Sequence, residues 1–139
     1  MDIYKKIQKA RGVCIGGTKD VTVKSVESAA ELFGLSNQSG IYNNIERPEA
    51  IRVLRTVLHR DMAYSAKIMS SEKAKNLANE FIGKFGDEAV FYTNGEYGKP
   101  RSNPSVGPSW SPATDATFDT GVIVVSNGVV GCAWFADED

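Results

Sequence analysis

The fold is decided by the stretch Gly121-Val122-Ile123-Val124-Val125-Ser126-Asn127-Gly128-Val129-Val130-Gly131-Cys132-Ala133-Trp134-Phe135. Two apolar runs flank Asn127-Gly128, the dipeptide that accepts positive φ at both central positions of a two-residue turn. This predicts a β-hairpin from Thr117 to Ala136, with Ser126 opposite Val129, Val125 opposite Val130 and Val124 opposite Gly131. Odd and even positions are both largely apolar. Neither face of such a ribbon is freely solvated, so upstream helices have to cover it.

Working outward, the 139 residues fit one domain, 1–139, with enough chain to bury a core. A first helix is expected over 2–11, with Ile3, Ile7 and Ala10 on one side and Gly12 as its stop. Val13 to Ile15 reads as a short strand broken by Gly16-Gly17, and Val21 to Val23 as another. Ser25 caps a brief helix over 26–33, and 35–47 is polar and irregular. Pro48 suits the first position of a long helix running to Tyr64, apolar over more than half its circumference. Ser70 caps a further helix over 71–85, and Ala89 to Thr93 is a strand expected to pair with one arm of the hairpin. The sum is an α+β fold: an antiparallel sheet of three to five strands ending in the hairpin, covered by three or four helices.

Composition excludes several function classes. With 16 Lys and Arg against 17 Asp and Glu, there is no basic field to advertise direct nucleic-acid binding. No apolar run reaches the roughly 18 residues of a membrane helix, and the start is amphipathic, unlike a signal peptide. The cytoplasm is the default location. Cys14 and Cys132 lie in apolar settings that suit free, buried thiols, and would pair only in a secreted chain. One histidine and two distant cysteines give no metal spacing, and no cofactor is expected. Gly16-Gly17-Thr18 lacks the Gly-Lys-Ser/Thr ending of a phosphate loop.

Candidate binding residues gather in the loop over 95–116. Pro100, Pro104, Pro108 and Pro112 fall at every fourth position, a pattern neither a helix nor a pairing strand tolerates. Proline lowers the entropy a loop loses on binding, so an ordered loop here can present Tyr97, Lys99, Arg101 and Trp110 in a preset shape. Trp110 and Tyr97 offer flat amphipathic area, while Lys99 and Arg101 suit a phosphate or an acidic partner. Asp61 falls in the apolar arc of the long helix, where a carboxylate must be paired, protonated or line a pocket. The alternative is that the helix frays before it, or that it caps a backbone turn. The stripe Arg52, Arg55, His59 and Arg60, with Arg47 just before it, reads as the wet side of that helix, the alternative being a grip on phosphates or carboxylates. Asp115 and Asp119, with the terminal Asp137, Glu138 and Asp139, are expected to form an acidic surface at one end of the sheet.

In size and style the chain resembles small immunity or inhibitor proteins of bacteria and their viruses, a likeness of kind carried by no sequence motif. The resulting expectation is a non-catalytic binding protein with one protein partner, a toxin or defence protein whose basic surface meets the loop and the acidic end, with Trp110 and its neighbours as the desolvated centre. The alternative is a site for a nucleotide or related phosphate closed by the loop. There Lys99 and Arg101 would hold phosphate, Tyr97 or Trp110 would stack, and Asp61 or Asp119 would bind a hydroxyl or act as base. A third reading is an assembly protein that oligomerises through the hairpin edge.

Overall fold

The structure is a computed structural model that describes residues 2–12, 14–100 and 107–139. Its described residues form an α+β fold of five strands and four helices, in the order α1 (Ile3–Arg11), β1 (Ile15–Lys19), α2 (Val26–Leu32), β2 (Asn43–Ile45), α3 (Arg47–His59), α4 (Ser71–Ile82), β3 (Val90–Thr93), β4 (Phe118–Ser126) and β5 (Val129–Asp137). The strands make one antiparallel sheet, ordered β1-β5-β4-β3-β2. The terminal hairpin has the expected register, Ser126 opposite Val129 and Val124 opposite Gly131, with Gly128 at φ 72° in the turn.

Alternation along the hairpin sends its side chains into two cores. Val122, Val124, Ala133 and Phe135 face α3, with α4 packed against α3 and α1 against α4. Ile123, Val130, Cys132 and Trp134 face the other way, under α2 and the loop residues Leu35, Ile41 and Ala113. The sheet is therefore the middle layer, which is why an almost uninterrupted apolar run is tolerated in β4 and β5. Among the described residues no helix is long and apolar enough to cross a membrane.

The departures from expectation have local causes. β1 runs through Gly16-Gly17 instead of breaking there, because a Cβ on Gly16 would overlap the Cys132 carbonyl oxygen of β5. The glycine permits the approach of the two strands. Residues 21–23 form no strand, since Lys19 already pairs with Val130 and the β5 partner then enters its turn. β2 was hidden in the polar stretch before Arg47, and it pairs with β3 at the sheet edge while Asn44 Nδ2 donates to Phe91 O at 3.0 Å. α3 stops at His59, five residues short of Tyr64, and α4 stops at Ile82. Beyond His59 the chain reverses in a turn in which Ser65 takes φ 56° and Ile68 N returns to His59 O at 2.8 Å. The two cysteines are free, with burial pushing Cys14 up to about 11 and Cys132 well above the usual thiol range.

Gly121 marks the tightest point of the hairpin. A Cβ there would lie 2.6 Å from Trp134 Cα and would overlap the Ala133 carbonyl oxygen. Gly121→Ala is expected to lower the unfolding free energy by about 1–3 kcal/mol, the usual cost of overfilling a packed interior. Urea denaturation measures this, and a change below about 0.5 kcal/mol would show that the ribbon has room to spare.

Candidate functional site

After β3 the chain leaves the sheet at Asn94 and returns at Phe118, and its two described limbs are tied to each other. Gly95 bridges Trp110, Glu96 N donates to Ser109 O at 2.9 Å, and Ser111 N donates to Asn94 O at 2.8 Å. Ser109 also donates its N–H and hydroxyl to Glu96 Oε1, which holds the Glu96 carboxyl below the usual range. The near limb is fastened to α3 by Arg52, whose Nε donates to Gly98 O at 2.9 Å. The far limb is fastened by Asp119, which is 0% exposed on β4. Its carboxylate accepts from five donor groups: Asn94 Nδ2 at 3.0 Å, Trp134 Nε1 at 3.1 Å, Ala113 N at 3.1 Å, Thr114 N at 3.2 Å and Thr114 Oγ1 at 3.0 Å.

Between this loop, the end of α3 and the turn after it lies a cleft of about 610 Å³. α3 supplies Arg55, Thr56 and His59, the following turn supplies Arg60, Asp61 and Tyr64, and the first residue of α4, Ser71, lines it too. The opposite wall is Tyr97, Lys99, Pro108 and Trp110 from the loop, with Phe118 from the start of β4. Trp110 stands between Tyr97 and Phe118, with ring centroids 5.9 and 5.4 Å away. Tyr64 is 70% exposed at the mouth.

The charges here are unevenly committed. Asp61 caps its own turn, accepting from Tyr64 N at 2.6 Å and Ala66 N at 3.1 Å, so it is neither buried in a helix face nor open as a base. Arg60 spends one nitrogen on Ser65 O at 2.7 Å. Among the described residues, Arg55 and Lys99 have no side-chain hydrogen bond or ion pair. His59 Nδ1 lies 2.7 Å from Met69 O. A carbonyl oxygen only accepts, so Nδ1 carries a proton and donates it to this bond.

The structure thus brings Tyr97, Lys99, Trp110 and Asp61 to one cleft and scatters the other candidates. Arg101 lies outside the described residues. Asp119 is internal, so it adds nothing to the acidic surface expected to include it. Asp137 pairs with Arg11 at 2.6 Å, with their side chains 12% and 7% exposed, and also accepts from Met62 N at 2.8 Å. Glu138 accepts from Thr117 N and Oγ1. Asp115 is exposed beside a second, shallower groove with Asn37 and Gln38, and Asp139 is exposed at the end of the chain. Conversely, Arg55, His59 and Arg60 line the cleft although their stripe reads as a solvated face. The signal available for them was two arginines and the one histidine of the chain within six successive residues at the end of a helix. Comparison with family models, with curated proteins and with solved structures finds no match to this chain.

Two predictions test the polar framework. Burial pushes the Asp137 carboxyl up, but the Arg11 guanidinium and the Met62 N–H outweigh it and hold it below the usual range. A carboxylate depressed in the folded state stabilises at neutral pH, and the contribution is lost as pH falls through its folded value. Arg11→Met is therefore expected to cost about 3 kcal/mol near neutrality. The gap between variant and parent should narrow below about pH 4, as followed by denaturation across pH. An equal gap at all pH values would contradict the pairing. Asp119→Asn turns one acceptor into a donor facing Thr114 or Asn94, and should cost about 1–3 kcal/mol for each stranded partner. An unchanged melting temperature would show that the carboxylate is dispensable.

Proposed function

We propose that the chain is a non-catalytic binding protein whose cleft takes a small anionic ligand carrying a flat ring, of the nucleotide class. One observation carries this reading. Arg55 and Lys99, neither held in a side-chain hydrogen bond or ion pair among the described residues, share a cavity with Tyr97, Trp110 and Phe118, while the two carboxylates in the same cavity, Asp61 and Glu96, already accept from backbone amides, and Glu96 also feels the charge of Lys99. Guanidinium and ammonium groups in such a setting favour phosphate or carboxylate, and an aromatic wall favours a planar ring. The volume falls within the range of small-molecule sites.

The inhibitor reading draws on the acidic end of the sheet. With Asp119 and Asp137 turned inward, that end offers Asp115, Glu138 and Asp139, and Glu138 is bonded to Thr117. The cleft carries the stronger chemistry. A toxin- or defence-protein partner would be recognised through the loop, already part of the inhibitor reading, and the exposed Tyr64.

Thermal melts against a panel of nucleotides test the proposal. A ligand at about 100 times its Kd adds about 2.7 kcal/mol, a rise of several degrees in Tm. Arg55→Ala and Trp110→Ala should each weaken the responding nucleotide by about tenfold or more. Flat melts with every nucleotide and with inorganic phosphate would overturn the reading.

A further inference from the structure

We propose that His59 makes this cleft select phosphate monoesters over diesters, its Nε2 sharing a proton with a terminal phosphate that also meets Arg55 and Arg60. The inference rests on the reading of the cleft as an anion site. An arginine only donates, so it tells monoester from diester by charge alone. An imidazole both accepts and donates, depending on its charge. His59 lines the cleft and is oriented by Met69 O, which takes the Nδ1 proton in either charge state. Protonation at Nε2 therefore breaks no bond of the fold and requires no rotation of the ring. Among the described residues nothing bonds Nε2.

The other charged groups lining the cleft come from three elements. Arg55 comes from α3, Arg60 from the turn and Lys99 from the loop. Asp61 spends both oxygens on Tyr64 N and Ala66 N, Glu96 Oε1 is taken by Ser109, and Tyr64 is largely in water. A bound phosphate brings negative charge among these cations. A monoester gives up its second proton at about pH 6, in the region where histidine changes charge. Its monoanion can donate its own O–H to Nε2, and its dianion can draw a proton from solvent onto Nε2. Both routes reach the same bound state, a proton between nitrogen and oxygen, and no other bond forms or breaks. A diester has no such proton and one charge fewer.

Isothermal titration of the full chain with adenosine 5′-monophosphate and with adenosine 3′,5′-cyclic monophosphate tests this, run near neutral pH in two buffers of different ionisation enthalpy. The monoester is expected to bind about tenfold more tightly, with an apparent enthalpy that differs between buffers because protons are taken up. His59→Asn is the decisive variant. Its amide can still donate to Met69 O in the place of Nδ1, but it offers no titrating acceptor. It should keep only the smaller preference that Arg55, Arg60 and Lys99 give the monoester for its extra charge, with no proton uptake and a melt close to the parent's. His59→Gln, which lacks the Nδ1 equivalent, should also fall back to that smaller preference. Equal affinities in the parent, or proton uptake that survives in His59→Asn, would overturn the role of His59 and leave the anion site standing. Failure of both nucleotides and inorganic phosphate to bind would overturn both.

Discussion

A carboxylate removed from water has to be answered by hydrogen-bond donors, and at Asp119 those donors come from three separate stretches of chain. Asn94 brings the exit of β3, Ala113 and Thr114 bring the returning limb of the loop, and Trp134 brings β5. Among the described residues no cation pairs with Asp119, so its partners are backbone and side-chain dipoles whose positions are fixed by the sheet. Asn94 extends the arrangement by donating to Ser111 O and accepting from Thr120 Oγ1 at 2.7 Å. The two ends of a long excursion from the sheet are thereby drawn to one buried point. Ala113 is carried into the second core in the process, and its carbonyl accepts from Ser36 N.

That constraint positions the wall of the cleft. Asp119 holds the returning limb from one face of the sheet, while Arg52 holds the outgoing limb at Gly98 from the other. A Cβ on Gly98 would lie 2.7 Å from Val53 Cγ2, so the limb lies directly on α3. Between these two fastenings sit Tyr97 and Trp110, facing the cations of α3 across the cavity. The opposite wall has its own fixings: Asp61 closes the turn after α3, and Met69 O orients His59. Preorganisation of this kind lowers the entropy lost when a ligand is ordered against the walls. Apolar packing sets the layers, and a few polar groups set the site.

The layers were legible because they follow from local chemistry. Asn127-Gly128 specified the hairpin and its register, Ser25 and Ser70 act as N-caps, and the all-round apolar character of β4 and β5 announced a sheet covered on both faces. What escaped the sequence depended on partners distant along the chain. Asn43 to Ile45 is a strand because β3 lies beside it, and Gly16-Gly17 continues a strand because Cys132 needs the space. The site was half legible. Tyr97, Lys99, Trp110 and Asp61 were recognisable as residues out of place in an ordinary loop or helix. Asp119 and Asp137 were recognisable as unusual but not as internal, since their donors lie on other elements. Arg55 and His59 look like any solvated helix face until a loop folds over them.

The claim on which the rest depends is that Asp119 holds the returning limb of the loop to the sheet in the absence of any ligand. Amide hydrogen exchange at Ala113 and Thr114 in the free protein measures this directly. Both amides are expected to be as strongly protected as those of β4 and β5, and to lose that protection in Asp119→Ala while the hairpin keeps its own. Exchange at the rate of an unstructured chain in the parent protein would contradict the account, leaving the cleft without a fixed wall.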